Sequence, residues 1–196
     1  MSVAGSGRMR FSSKAREALR GWVSIAAGVA VLLIGRASFA DHYRVPSGSM
    51  EPNVEVGDRI LVNKLAFGFR VPATNVYLSR FGEPQRGDVV VLSSPDDGSV
   101  LLKRVVAVPG DEVEVREGEV WLSGRLQHHG YAIRRDDSGG PPLEASRVPT
   151  DAYLVLGDNR GDSRDGRSFG FVQRSAVLGK AIAVYARDGG LVWVPL

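Results

Sequence analysis

Short segments rich in valine, isoleucine and leucine dominate the sequence after residue 41. Glycine, proline or aspartate bounds each of them, as is typical of β-strands. The clearest are DRILVNKLAF, GDVVVLSS, SVLLKRVVAV, DEVEVREGEVWL, AYLVLG and AIAVYA. No long segment in this part of the chain has the 3.6-residue periodicity of an amphipathic helix. The pattern therefore predicts a mainly β fold, such as a sandwich or a barrel.

Two details refine this prediction. DEVEVREGEVWL alternates valines with charged residues around Gly118, and a glycine between two alternating runs indicates a hairpin turn. The stretch 126–150 interrupts the strands with polar residues, glycine and proline. We expect it to be an excursion or a small subdomain inserted in the β domain. A short turn of helix is expected around QRSAVLG.

An uncharged apolar run, GWVSIAAGVAVLLIG, occupies residues 21–35. Extended to residue 40, it reaches the about 20 residues that span a bilayer, and Arg36 is close enough to its end to reach the interface. Basic residues outnumber acidic ones before the run, which places that side in the cytoplasm. We expect a cytoplasmic tail at 1–20, a transmembrane anchor at 21–40 and an extracytoplasmic domain at 41–196. A cleaved secretory signal is the alternative, because Ser38 and Ala40 supply the small residues of a cleavage site.

Composition excludes several kinds of site. The chain has no cysteine, and hence no disulfide, thiolate metal site or cysteine nucleophile. Only three histidines are present, which argues against a histidine metal centre. The net charge is +3 and the basic residues are interspersed with acidic ones, unlike the basic stripe of a nucleic-acid-binding protein. We expect no metal, no cofactor and no nucleic acid.

The stretch Ser47-Gly48-Ser49-Met50 lies between two prolines. In an extended segment alternate side chains share a face, so both hydroxyls could point to one place. A nucleophilic serine needs a base and two donors for the oxyanion. If Ser49 attacks, its own backbone N–H and the Ser47 hydroxyl could be those donors. A polar turn without chemistry is the alternative.

A lysine is the remaining candidate for the base, and serine–lysine pairs are a known variant of the catalytic triad. Lys103 lies in VLLKRVVAV, a strand that is apolar on both faces. Burial disfavours the ammonium form and lowers the pKa of a lysine, as a base requires. Periodicity alone leaves open whether Lys103 or Arg104 faces inward, or whether both lie on an edge strand.

GDNRGDSRDGRSFG, residues 157–170, is rich in turn formers and charges. It predicts a loop that is either solvated or part of a polar network around the site, in which Asp158 or Ser163 could orient the base.

In this order, the apolar run, PSGSMEP, GDRILVNKLAFG, GDVVVL, LLKRVVAVPGD and GDNRGDSRDGRSFGFV resemble bacterial type I signal peptidases, which are membrane-bound serine proteases. The resemblance covers residues 23 to 185. It implies an antiparallel β-sheet catalytic domain of the signal-peptidase or LexA-like type, with one N-terminal transmembrane helix. It also implies cleavage of signal peptides from exported preproteins at the membrane, after small residues (Ala-x-Ala), with preproteins and the lipid bilayer as partners.

Carried onto this sequence, the resemblance makes Ser49 the nucleophile and Lys103 the general base. Ser47 would complete the oxyanion hole, and Ser163 would orient the lysine. The implied supporting network consists of Asp158, Arg160, Asp165 and Arg167. The implied substrate pocket consists of Val45, Met50, Val54, Leu101 and Leu102.

The sequence departs from the family pattern in four places. Asn53 replaces the usual threonine, Gly161 and Gly166 replace aspartate and serine, and Phe169 replaces tryptophan. We expect the two glycines to loosen the polar network. Two alternatives stay open: a specialised serine–lysine maturation peptidase of a conjugation or secretion system, and a membrane-tethered β-domain without activity.

Overall fold

A computed structural model describes residues 21–26, 28, 40–70, 77–80, 82–135 and 139–196. The chain divides into two units, 1–37 and 38–196. The predicted tail 1–20 and most of the predicted anchor 21–40 lie outside the described residues; residues 21–26 and 28 are helical. Within the described ranges, no helix combines the length and the apolar character that crossing a membrane requires.

The β domain forms from the segments with alternating or continuous aliphatic residues. All of the strand pairs in the described part of the chain are antiparallel. The strands are β1 (Ala40–Arg44), β2 (Arg59–Asn63), β3 (Gly68–Arg70), β4 (Tyr77–Arg80), β5 (Val89–Ser93), β6 (Val100–Ala107), β7 (Glu112–Arg116), β8 (Glu119–Leu122), β9 (Arg125–Leu126), β10 (Leu143–Arg147), β11 (Ala152–Leu156), β12 (Val172–Gln173), β13 (Val177–Arg187) and β14 (Gly190–Pro195).

The main sheet has eight strands in the order β1-β2-β13-β5-β6-β11-β12, and β14 pairs with β13. β13 is long enough to pair with β5 through its first residues and with β14 through its last. In the described ranges no pairing joins β1 to β12, so the sheet is an open one. The mainly β, antiparallel prediction is confirmed.

Two smaller sheets accompany the main one. β10-β7-β8-β9 form the first, and β3 and β4 form the second. Glu117 and Gly118 join β7 to β8 with φ values of 51° and 76°. Positive φ at both central residues is what a type I′ hairpin turn requires. The predicted hairpin is thus present, and the predicted insertion 126–150 returns to it through β10.

Continuous aliphatic runs form the centre of the domain. β11 is buried at all five positions and β5 at its first four, the pattern of strands that are covered on both faces. β6 lies between them and carries two buried cations, Lys103 and Arg104. A one-turn helix, α1 (Gly166–Phe169), ends the 157–170 loop, and a 3-10 turn at Arg174–Ala176 lies where a helical turn was predicted.

Candidate active site

Ser49 and Lys103 meet at the edge of a cleft. The Lys103 Nζ atom donates a hydrogen bond to the Ser49 Oγ atom at 2.7 Å and a second one to the Leu102 carbonyl at 3.0 Å. The two side chains come from elements 54 residues apart in the chain. The lysine is carried by the central strand β6, whose pairing with β5 on one side and β11 on the other holds its position.

The segment that carries Ser49, residues 47–53, is a turn and not an extended strand. Gly48–Met50 forms a 3-10 helix, closed by hydrogen bonds from Glu51 N to Gly48 O and from Asn53 N to Met50 O, both at 3.1 Å. Met50 is 1% exposed and anchors this 47–53 turn in the core. The extended geometry assumed from the sequence was therefore wrong. Ser47 and Ser49 nevertheless line the same cleft, because Ser47 immediately before the helix is extended (φ −140°, ψ 154°).

Lys103 is only 3% exposed. Burial lowers its pKa from 10.5 to about 8, and the nearby carboxylates of Asp165 and Asp158 oppose this lowering. An amine with such a pKa is neutral in a useful fraction of molecules at physiological pH, so it can accept a proton. The other two lysines in the described ranges form ion pairs instead: Lys64 with Asp41 at 2.9 Å, and Lys180 with Asp88 at 2.6 Å.

The neighbouring cation on β6, Arg104, has a partner of its own. Its Nε and Nη2 atoms donate to both carboxylate oxygens of Asp158 at 2.8 and 2.6 Å, with both side chains buried. The sequence left open which of the two β6 cations faces inward, or whether both lie on an edge. Both are buried in a central strand, because each has polar partners that satisfy it.

Asp165 organises the 157–170 loop. Its carboxylate accepts hydrogen bonds from the Gly157 N–H at 2.9 Å and from Arg167 Nε at 2.9 Å, and it caps α1. Both charged side chains have no exposed surface. Arg167 also donates to the carbonyls of Gly139 and Arg160 at 2.7 and 2.8 Å. This buried pair fixes the loop beside the Ser49–Lys103 contact.

Arg160 is fully buried in the same loop. Its Nε atom donates to the Gly157 carbonyl at 3.0 Å, and its Nη1 atom donates to the Gly118 carbonyl of the β7–β8 hairpin. A network looser than in relatives was expected from the two glycines. At Gly166, however, a Cβ atom would come within 2.6 Å of Leu154 Cδ1. The absent side chain lets α1 pack against β11, and the expectation of a looser network stays a prediction.

Ser163 lies next to the 47–53 turn. A Cβ atom on Gly157 would lie 2.2 Å from Ser163 Oγ and 2.4 Å from the Ser49 carbonyl oxygen, so both atoms border the same small space. The Ser163 Oγ atom is buried and has no hydrogen-bond partner in the described part of the chain. Its role in orienting Lys103 stays a prediction.

The cleft beside Ser49 has a volume of about 310 Å³. Of the pocket residues expected from the resemblance, Val45, Met50, Leu101 and Leu102 line it. Val54 does not line it; this residue is fully buried in the core. Sequence reasoning missed Ile60 and Val91, which also line the cleft and could have been found only if the pairing of β2 and β5 with their neighbours had been known.

The sequence matches known peptidases. Residues 19–186 match the family model described as signal peptidase, peptidase S26. The chain belongs to the peptidase S26 family. A probable signal peptidase I-2 of Synechocystis sp. is 34% identical over 158 residues, which cover 77% of this chain and 66% of that relative. The signal peptidase I of Pseudomonas aeruginosa is 32% identical over 192 residues, covering 79% of this chain and 68% of the relative.

The solved structure of a signal peptidase I from Enterococcus faecalis V583 aligns with 51% of this chain and 97% of its own, at 30% identity and a TM-score of 0.44. The chain spans about two thirds of the length of the two curated relatives named above. Membership of the peptidase S26 family confirms the resemblance that the sequence predicted, and with it the class of enzyme at the level of the family.

Proposed function

We propose that this member of the peptidase S26 family is a type I signal peptidase, which removes N-terminal signal peptides from exported preproteins with a serine nucleophile and a lysine base. The observation that carries the proposal is the 2.7 Å contact between Ser49 Oγ and the buried Lys103 Nζ. A pKa of about 8 for this lysine favours the role of a base. An ordinary surface lysine would be almost entirely protonated at neutral pH.

The proposed reaction begins with neutral Lys103 taking the proton from Ser49 Oγ as this oxygen attacks the carbonyl carbon of the scissile peptide bond. The Ser49 backbone N–H and the Ser47 hydroxyl donate to the resulting oxyanion. The lysine then gives its proton to the leaving amine, the peptide bond breaks, and an acyl-enzyme on Ser49 remains. Lys103 next deprotonates a water molecule that attacks the ester carbon, and it returns this proton to Ser49 Oγ as the ester C–O bond breaks, which frees Ser49 and the carboxyl end of the signal peptide.

The shape of the cleft supports a preference for small side chains before the scissile bond. Apolar residues form much of its wall, and Met50, Ile60 and Val91 are almost fully buried behind it. With a total volume of about 310 Å³, the cleft is at the small end of the range for ligand sites. Alanine at the cleavage site fits such a space, and a larger side chain would have to displace core residues.

The proposal includes a membrane location, with residues 21–40 as anchor, the N-terminus in the cytoplasm and the β domain outside it. It rests on the length of the apolar run and on the basic residues before it,. A single anchor would confine enzyme and membrane-held substrate to two dimensions and raise their effective concentration. Carbonate-resistant pelleting with membranes, combined with protease digestion of the β domain from the outer side only, tests this part.

The test of the activity is cleavage of a preprotein with an Ala-x-Ala site by the purified full-length chain in detergent. Ser49→Ala and Lys103→Ala, each checked for folding, are compared with the controls Ser168→Ala and Lys180→Ala. We expect cleavage after the second alanine by the wild type and the controls, and none by the first two variants. Activity that survives Ser49→Ala would refute the mechanism, and a wild type that cuts only one of several preproteins would indicate a specialised maturation peptidase.

A further inference from the structure

The inserted segment 131–135 lies directly against the loop that borders the nucleophile. The Arg134 N–H donates to the Asp158 carbonyl at 2.9 Å, and the Arg160 N–H donates to the Arg134 carbonyl at 2.6 Å. This pair of bonds places Arg134 beside Asn159 as an isolated parallel bridge. Residues 131–135 therefore run alongside the 157–160 loop and are joined to it by backbone hydrogen bonds.

The 157–160 loop also holds the backbone of the 47–53 turn, here called the nucleophile turn because it carries the proposed nucleophile. The Asn159 N–H donates to the Ser49 carbonyl at 3.1 Å, and its side-chain amide donates to the Gly48 carbonyl at 3.2 Å. These bonds act on the residue that carries the nucleophile and on the one before it. The loop therefore supports the backbone position from which the Ser49 side chain extends.

Asn53 connects the nucleophile turn, the inserted segment 131–135 and the 157–160 loop. It belongs to the nucleophile turn, and its Nδ2 atom donates to the Ala132 carbonyl at 2.6 Å and to the Asp158 carboxylate at 2.8 Å. An amide nitrogen has two hydrogens, so both donors are used. Asp158 keeps its paired contact with Arg104, whose guanidinium lies 3.9 Å from the centre of the Tyr131 ring of the same inserted segment.

We propose that Asn53 is a positioning residue, which couples the inserted segment 131–135 to the nucleophile turn and so fixes Ser49 Oγ within hydrogen-bonding distance of Lys103 Nζ. The proposal rests on the proposed peptidase function, because positioning matters only if Ser49 and Lys103 react. It also gives the insertion a role in catalysis, since the insertion buttresses the turn that bears the nucleophile.

The position of Asn53 separates this role from substrate binding. Asn53 lines a second cavity, of about 660 Å³, together with Tyr131 and His129, and this cavity shares no lining residue with the cleft beside Ser49. Loss of the Asn53 amide should therefore leave the substrate contacts intact. It should reduce the rate of the chemical step, since small misplacements of a reacting atom are costly.

The experiment compares the full-length wild type with Asn53→Leu, which keeps the size of the side chain and removes both donors. Asn53→Ser keeps one shorter donor. Gln127→Leu removes another amide that lines the same second cavity and serves as the matched control. kcat and KM are measured separately on a peptide with an Ala-x-Ala site, and amide hydrogen exchange is followed at Arg134 and Arg160.

We expect Asn53→Leu to lower kcat on the order of ten- to a hundredfold with KM changed by less than about twofold. Asn53→Ser should recover part of the loss, Gln127→Leu should match the wild type, and exchange at both amides should accelerate in Asn53→Leu. A folded Asn53→Leu with unchanged kcat, or with raised KM alone, would overturn the proposal. If Asn53→Leu does not fold, Asn53→Ser decides by the same two constants.

The exchange measurement also separates this proposal from the proposed function. If the wild type cleaves no peptide, the peptidase proposal fails, yet exchange still reports whether Asn53 couples the two segments. Unchanged exchange in Asn53→Leu would then reject the coupling independently of activity.

Discussion

Replacing Lys103 by methionine should abolish cleavage and change how stability depends on pH. Lys103 is buried, and its pKa in the folded chain, about 8, lies below the 10.5 of a solvated lysine. Between these values the unfolded chain binds more protons than the folded one, so the free energy of unfolding rises with pH across this window. Below about pH 8 the folded chain bears the full cost of holding an ammonium group in a dry site. Methionine is similar in length and carries no charge, so it has no such cost.

The size of the effect follows from the two pKa values. A lowering from 10.5 to about 8 corresponds to about 3 kcal/mol at 1.36 kcal/mol for each pKa unit. Methionine also loses the hydrogen bonds to Ser49 Oγ and the Leu102 carbonyl, each worth about 1 kcal/mol. The lost hydrogen bonds lower the free energy of unfolding of the variant by an amount that is nearly independent of pH. The cost of the buried Lys103 charge in the wild type, in contrast, disappears as the pH rises to 11. The pH dependence therefore isolates the charge.

The assay is urea unfolding of the full-length chain and Lys103→Met in detergent, followed by tryptophan fluorescence at pH values from 7 to 11. The free energy of unfolding of the wild type should rise relative to the variant by about 3 kcal/mol over this range. Other titrating groups are common to both chains and cancel in the difference. A difference that stays constant within about 1 kcal/mol would show that Lys103 has an ordinary pKa, and the argument for a lysine base would lose its physical ground.

Three further results are expected. The acid limb of kcat/KM for peptide cleavage should follow the deprotonation of Lys103 with an apparent pKa near 8, and a rate that is flat between pH 6 and 9 would contradict this. Gly157→Ala should lose activity and stability, because its Cβ atom would lie 2.2 Å from Ser163 Oγ and 2.4 Å from the Ser49 carbonyl oxygen. Gly130→Ala, which has open space around it, should match the wild type in the same cleavage and thermal-unfolding assays. Asp158→Asn should lower the free energy of unfolding in urea by about 3–5 kcal/mol, because it removes one charge of a buried ion pair. Glu114→Gln, which removes one charge of a surface pair, should lower it by less than about 1 kcal/mol. Equal losses in the two variants would refute this prediction.

The strands were predictable because their signal is local. Continuous aliphatic runs mark β5 and β11, and alternation around Gly118 marks the β7–β8 hairpin. The order of the strands in the sheet was not predictable in this way. β13 pairs with β2, β5 and β14, and the choice among such partners depends on contacts between distant parts of the chain.

The candidate site, too, was predictable only in part. The residue types identified Ser49 and Lys103 as a possible pair, and the resemblance assigned their roles. The sequence could not show that Ser49 lies in a 3-10 turn, nor that Arg104 is buried together with Lys103. The burial of Arg104 involves its pairing with Asp158, 54 residues away, and the turn that carries Ser49 contacts the same carboxylate through Asn53, 105 residues away. The contribution of Asn53 was hidden for the same reason.

The separation along the chain of the groups at the site has a consequence for biosynthesis. Lys103 follows Ser49 by 54 residues, and Asp158 follows Asn53 by 105. Contacts between such distant segments require the chain to close large loops, and folds dominated by such contacts form slowly. A chain in which β6 has not yet docked against the 47–53 turn therefore lacks the Ser49–Lys103 contact, and with it the proposed catalytic pair.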